Sequence, residues 1–154
     1  MKRRYYLAYG SNLNIRQMQM RCPFAKPVCD ITLEGYELLF RGCNGSAVAT
    51  IEPKNNSNVP CALWLISAKD EDSLDIYEGW PRLYRKETVS VQFGKRRINV
   101  MAYIMNDGHD IAMPGMGYLH TILDGYKDFG LNVAALDTAL KKSINPSVPY
   151  LPSY

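Results

Sequence analysis

Apolar runs divide the chain into extended segments, and apolar residues at helical spacing take over near the C-terminal end. The pattern predicts strands or extended segments at residues 4–9, 27–39, 47–51, 61–66, 84–93 and 98–105. Residues 53–58 combine one proline with three asparagines and a serine, so we predict a surface loop there.

Helical segments are predicted in four places. A short helix follows Leu13 and stops before Pro23, and a second begins at Ser67 or Asp70 and ends at Glu78. A third has apolar positions at Leu119, Ile122, Leu123 and Tyr126 and ends at Gly130, and a fourth covers residues 133–144.

About six or seven strands are thus mixed with three or four helices, without regular strand–helix alternation. This order favours a single α+β domain over residues 1–154, with a mixed, mostly antiparallel, barrel-like sheet and flanking helices. Residues 145–154 contain three prolines, and we expect this tail to be extended, since proline disfavours helix.

Composition and charge exclude several classes of protein. The chain is 47% hydrophobic and 21% charged, as in an ordinary soluble globular protein. A net charge of +3 is too small to indicate a nucleic-acid or membrane partner. No apolar run approaches the roughly 18 residues of a membrane span. The apolar stretch after Met1 and its three basic neighbours is too short for a signal peptide.

The cysteines point to a reducing compartment. No Cys-x-x-Cys pair occurs, and the histidines are distant in sequence, so no metal site is expected. We therefore predict free thiols and a cytoplasmic protein. The residues concerned are Cys22, Cys29, Cys43, Cys61, His109 and His120.

The turn after the first predicted strand is the first candidate for chemistry. Gly10, Ser11 and Asn12 follow the aromatic run that ends at Tyr9. A strand that ends in such a turn leaves backbone N–H groups unpaired and directed the same way. These groups attract an anion or a developing oxyanion.

Glu78 is the second candidate, because it stands where a helix meets a turn, between Tyr77 and Trp80. A carboxylate among aromatic rings is partly desolvated, which raises its pKa toward the range useful for acid–base catalysis. The alternative is a solvated glutamate at a helix end. Asp75, three residues earlier, is interpreted as a capping or salt-bridge residue, or as a partner of Glu78.

Taken together, two motifs resemble the gamma-glutamylcyclotransferase family. They are Tyr-Gly-Ser-Asn, from Tyr9 to Asn12, and Leu-Asp-x-x-Glu-Gly, from Leu74 to Gly79. The spacing resembles that of the compact bacterial members. The resemblance implies the family's fold, with Glu78 as catalytic acid/base. Substrate-binding positions implied by it are Tyr9, Gly10, Ser11, Asn12, Leu13, Tyr84 and Tyr118, with Gly115 where the family usually has serine.

The implied reaction is intramolecular. The α-amino group of a small γ-glutamyl compound attacks its own γ-amide carbonyl, which releases 5-oxoproline and an amine or amino acid. No metal or cofactor is expected, and the protein would be a monomer or homodimer. A non-catalytic module that binds a small anion and a glutamate-assisted amide hydrolase remain alternatives. Ser11 lacks the Gly-x-Ser-x-Gly elbow of a nucleophile, and the pocket tyrosines, Tyr9, Tyr84 and Tyr118, could instead be packing residues.

Overall fold

A computed structural model describes residues 2–144; the predicted extended tail at residues 145–154 lies outside them. The described elements, in chain order, are β1 (Arg3–Ala8), a 3-10 turn (Ser11–Leu13), α1 (Ile15–Arg21), β2 (Lys26–Arg41), β3 (Val48–Ser67), α2 (Ala68–Glu78), β4 (Tyr84–Phe93), β5 (Arg96–Met105), α3 (Met116–Phe129) and α4 (Ala134–Ile144). None of the helices within residues 2–144 has the length and apolarity needed to cross a bilayer.

The five strands form one sheet in the order β2-β3-β1-β5-β4. Neighbouring strands are antiparallel except β1 and β5, which run parallel with Tyr6 opposite Met101. The strands at the two ends of this order, β2 and β4, also contact each other, so the sheet curves toward a barrel. The predicted α+β class and mostly antiparallel, barrel-like sheet are confirmed.

The predicted number of strands is too high, and the predicted loop at residues 53–58 is wrong. This segment belongs to β3, which runs unbroken from Val48 to Ser67. β2 pairs with β3 on both sides of it, and the register shifts at Gly35, which has a positive φ of 80°. The turn-forming residues therefore mark an irregularity within a long hairpin, where extra residues bulge from a strand.

Both ends of α2 are fixed by local signals. The Ser67 hydroxyl accepts from the Asp70 backbone N–H (3.2 Å), and the Asp70 carboxylate accepts from the Ser67 N–H (3.0 Å). The two predicted caps thus act together as a capping box. At the other end Gly79 adopts the left-handed conformation, with φ 64°. These stops make Glu78 the last helical residue.

The 3-10 turn after β1 is held against α3. Asn14 caps α1 by accepting from the Gln17 N–H (2.9 Å), and its side-chain amide donates to the Thr121 carbonyl of α3 (3.0 Å). The two backbones approach so closely at Gly125 that a Cβ there would lie 2.6 Å from the carbonyl carbon of Leu13. Only glycine permits this contact, so α3 determines where the turn lies.

Replacing Gly125 with alanine should destabilise the protein, although alanine normally favours a helix. The added methyl would overlap the backbone of Leu13 and Asn14, and overpacking of this kind costs about 1–3 kcal/mol. The measurement is the free energy of unfolding in urea.

Gly117→Ala is the matched control, because Gly117 lies in the same helix and a Cβ there would meet nothing within 4 Å. It should stabilise the protein by at most about 0.5–1 kcal/mol, the gain expected in the middle of a helix, since Gly117 lies in the first turn of α3. Equal effects of the two substitutions would contradict the close contact at Gly125.

Candidate active site

A cavity of about 210 Å³ opens where the 3-10 turn, the C-terminal end of α2 and the start of β4 come together. Six tyrosines make up nearly half of its lining. The lining residues are Tyr6, Tyr9, Gly10, Ser11, Asn12, Val48, Ala49, Tyr77, Glu78, Leu83, Tyr84, Tyr103 and Tyr118.

Glu78 supplies the carboxylate of this cavity. Its Oε1 accepts a hydrogen bond from the Asn12 side-chain amide at 3.1 Å. Burial raises the pKa of Glu78 from its ordinary 4.5 to about 7, and the nearby Arg21 guanidinium partly opposes this rise. A carboxyl group with a pKa near neutrality can both take up and give back a proton at physiological pH.

The 3-10 turn faces Glu78 across the cavity. Asn12 is 2% exposed, and its side-chain amide also donates to the Tyr6 hydroxyl (2.9 Å). The Ser11 hydroxyl lies 2.8 Å from that of Tyr77. The turn is closed by the Leu13 N–H, which donates to the Gly10 carbonyl (3.0 Å).

Three of the tyrosines hold backbone groups through their hydroxyls. Tyr9 donates to the Tyr103 carbonyl (2.6 Å), and Tyr84 donates to the Ala49 carbonyl (2.5 Å). The Tyr118 hydroxyl accepts from the Ala49 N–H (2.9 Å). Burial raises the pKa of Tyr9, Tyr84 and Tyr118, so these phenols stay neutral. The cavity therefore has fixed, uncharged aromatic walls around one carboxyl group.

Comparison with known proteins identifies the family. The family model described as gamma-glutamyl cyclotransferase, AIG2-like, matches residues 6–119. The chain belongs to this family. Human and mouse gamma-glutamylcyclotransferases are each 29% identical to it over 136 residues, which cover 82% of this chain and 71% of theirs.

Solved structures with the same fold agree with this family assignment. A gamma-glutamyl cyclotransferase structure superposes with a TM-score of 0.78 at 26% identity, covering 90% of this chain and 86% of that one. YkqA from Bacillus subtilis shares the fold with a TM-score of 0.76 at 22% identity, covering 97% of this chain and 56% of its own. The family and the relatives support gamma-glutamylcyclotransferase-like activity for this chain.

Most of the residues singled out from the sequence meet in the cavity of this family member: Tyr9, Gly10, Ser11, Asn12, Glu78, Tyr84 and Tyr118. Leu13 does not line it, because its side chain is fully buried beside Gly125. Trp80 does not line it either, whereas Tyr77, the other aromatic neighbour of Glu78 in the sequence, does.

Asp75 forms the expected salt bridge. Its carboxylate lies 2.8 Å from the Lys86 ammonium and accepts from the Tyr103 hydroxyl at 2.6 Å. Asp75 is not among the residues that line the cavity. The Asp75–Glu78 pair considered as an alternative is therefore not formed within it.

At Gly115, where the family resemblance implies a serine, the chain passes close to another segment. A Cβ at Gly115 would lie 2.8 Å from the Gly45 carbonyl oxygen. A serine would require the segment at Gly45 to move. Gly115 itself does not line the cavity.

Several site residues were missed by sequence reasoning. Tyr6 and Tyr103 face the cavity because β1 and β5 pair side by side, and this parallel pairing has no local sequence signal. Tyr77 is the neighbour of Glu78 and was considered only as its desolvating partner. Arg21, which acts on Glu78, lies at the end of a weakly patterned helix and carried no signal of its own.

Replacing Glu78 with glutamine should stabilise the fold at alkaline pH. The folded pKa of about 7 lies above the ordinary value of 4.5 that applies in the unfolded chain. The stability contributed by Glu78 is therefore fully present below about pH 4.5 and is lost as the pH rises through about 7. Glutamine stays neutral, so Glu78→Gln should be more stable than wild type by about 2–3 kcal/mol at about pH 8, with little difference at about pH 4.

Urea unfolding at both pH values measures this difference. Glu34→Gln, which removes a carboxylate from an exposed position, is the control and should show no comparable gain on going to high pH. If Glu78→Gln were no more stable than wild type at about pH 8, the raised pKa would be wrong.

Proposed function

We propose that this protein cyclises a small γ-glutamyl compound, with the α-amino group attacking the γ-amide carbonyl to release 5-oxoproline and a free amine or amino acid. The observation that carries the proposal is Glu78, a desolvated carboxyl group in a tyrosine-lined cavity of the family fold. Glu78 is the general acid/base, and the turn formed by Gly10, Ser11 and Asn12 faces the reacting carbonyl.

The proton balance explains why the pKa of Glu78 matters. An α-ammonium group has a pKa about three to four units above that of an ordinary glutamate, so an unperturbed carboxylate would be a poor base for it. With a pKa of about 7, Glu78 is much closer in pKa to the α-ammonium group and is a far better base for it. It takes one proton from the ammonium, the neutral nitrogen attacks, and a C–N bond forms.

Collapse of the tetrahedral intermediate needs a proton on the leaving nitrogen. Glu78, now protonated, donates to that nitrogen as the amide C–N bond breaks. The attacking nitrogen gives up a second proton, which the basic departing amine takes up to leave as its ammonium form. It keeps one proton, which becomes the lactam N–H. Glu78 returns to its starting state, and the reaction invokes no metal or cofactor.

The 3-10 turn is the proposed binding site for the oxyanion. Its Leu13 and Asn14 N–H groups are already paired with the Gly10 and Ser11 carbonyls, which leaves the amides of residues 10–12 as the candidate donors. Leu13 thus contributes through the shape of the turn. Removing one such donor typically lowers the rate by about 10²–10³-fold.

Tyr9, Tyr84 and Tyr118 are proposed to bind substrate through their rings, since their hydroxyls already hold backbone groups. Fixed walls favour an intramolecular attack, because the glutamyl chain must be held folded with its two ends in contact. The cavity volume of about 210 Å³ suits a small-molecule substrate.

Glu78 also bears on the two alternatives. A module that only binds a small anion would gain from losing a carboxylate beside its ligand, since like charges repel. An amide hydrolase could use the same glutamate to activate water, and it would release glutamate in place of 5-oxoproline. The free thiols are consistent with a reducing compartment, and we propose the cytoplasm as the site of the reaction.

The test is release of 5-oxoproline from a panel of γ-glutamyl amino acids and amines. We expect turnover by wild type and a loss of at least about a hundredfold in Glu78→Gln, the size typical of a general acid/base. Glu34→Gln should retain wild-type activity.

The products separate the alternatives. Glutamate without 5-oxoproline would indicate the hydrolase. Full activity in Glu78→Gln would show that another group is the base. Wild type that binds panel members but converts none of them would favour the anion-binding module.

A further inference from the structure

Arg21, the last residue of α1, makes three directional contacts just behind the cavity wall. Its guanidinium donates to Asn12 Oδ1 at 2.5 Å and to Gln17 Oε1 at 2.9 Å. The guanidinium carbon also lies 3.5 Å from the centroid of the Tyr77 ring. Arg21 does not line the cavity itself, so its directional contacts are with residues around Glu78 and not with a bound substrate.

The first contact decides which way the Asn12 amide points. A guanidinium can only donate, so the amide oxygen of Asn12 must face Arg21. The amide nitrogen is then left to donate to Glu78 Oε1 (3.1 Å) and to the Tyr6 hydroxyl (2.9 Å). With the amide rotated by half a turn, its oxygen would face the Glu78 carboxylate and repel it.

The third contact, with the Tyr77 ring, holds a residue of the cavity wall beside Glu78. Stacking of a guanidinium on an aromatic face is attractive, because the positive charge lies against the negative face of the ring. The Tyr77 hydroxyl in turn pairs with the Ser11 hydroxyl at 2.8 Å. Arg21 therefore holds both Asn12 and Tyr77, which flank Glu78 from the turn and from α2.

We propose that Arg21 is a positioning residue for this reaction: through Asn12 and Tyr77 it keeps Glu78 supplied with a hydrogen-bond donor and available as a base. This inference rests on the proposed role of Glu78. It adds a residue outside the cavity to the machinery, and it assigns Asn12 the task of carrying the effect of Arg21 to the carboxylate.

Electrostatics supports the same role. The titratable groups around Glu78 are tyrosines from β1 and the residue after it, α2, β4, β5 and α3, together with the guanidinium from α1. Within residues 2–144, the guanidinium is the one charged group that shifts the pKa of Glu78. Burial raises the pKa of Glu78 while Arg21 lowers it, so loss of Arg21 would leave Glu78 protonated over more of the neutral range. The groups are Tyr6, Tyr9, Tyr77, Tyr84, Tyr103, Tyr118 and Arg21.

The direct test is titration of the Glu78 carboxyl by carbon-13 NMR, with the Glu78→Gln spectrum used to assign its signal. Arg21→Gln should raise the pKa of Glu78 by about one unit, the lower end of the effect of a neighbouring opposite charge. Arg21→Lys keeps the charge but loses the paired donors and the planar stack, so it should give a smaller rise.

Arg16→Gln is the matched control, because it removes the same charge from an exposed position of the same helix and should leave the titration of Glu78 unchanged. In the activity assay, the acid limb of kcat/KM for Arg21→Gln should move to higher pH by the same amount as the NMR titration. The loss of activity in Arg21→Gln should appear as a lower kcat more than as a higher KM, since Arg21 does not touch substrate.

A Glu78 titration that is the same in folded wild type and folded Arg21→Gln would overturn the inference. If Arg21→Gln fails to fold, Arg21→Lys decides, and an unchanged pKa and pH profile there would overturn it equally. The NMR titration does not depend on turnover. A wild-type protein that releases no 5-oxoproline would therefore refute the proposed function separately.

Discussion

The hydrogen bond between the Asn12 amide and the Glu78 carboxylate joins two segments 66 residues apart in the chain. Burying a carboxyl group is unfavourable for its charged form, and the fold balances that cost with one amide donor and one nearby guanidinium. The raised pKa that results is the property on which the proposed chemistry depends. The site thus requires both segments to be held firmly, because a small displacement would remove the only side chain that donates to Glu78 among the described residues.

Different parts of the fold hold the two partners. Glu78 is fixed within its own helix by the Ser67–Asp70 capping box at one end and the left-handed Gly79 at the other. Asn12 is fixed by tertiary packing, since its turn is pressed against α3 where Gly125 has no side chain. The fixed tyrosine hydroxyls then tie β3, β4 and α3 to the same wall. Helix ends, a close backbone contact and phenol–backbone hydrogen bonds together define one cavity.

Local signals in the sequence were enough to predict some features of the fold and of the candidate site. The Gly10–Ser11–Asn12 turn, the caps of α2, the hairpin of β4 and β5 and the candidate carboxylate Glu78 each depend on neighbouring residues, and each was predictable. Features that depend on distant residues were not predictable in this way. The union of two predicted strands into β3 depends on pairing with β2. The position of Tyr103 in the cavity wall depends on the parallel pairing of β1 with β5. Arg21 was missed for the same reason, because its importance arises from contacts with Asn12 and Tyr77 that exist only after folding.

The most direct test of the central claim is a crystal structure of the wild-type protein with 5-oxoproline. We predict that the product lies in the cavity with its lactam oxygen accepting from backbone N–H groups of residues 10–12. The lactam nitrogen should lie within hydrogen-bond distance of the Glu78 carboxyl group, about 2.6–3.2 Å. A product bound elsewhere, or one whose lactam faces away from Glu78, would contradict the assignment of both the base and the oxyanion site.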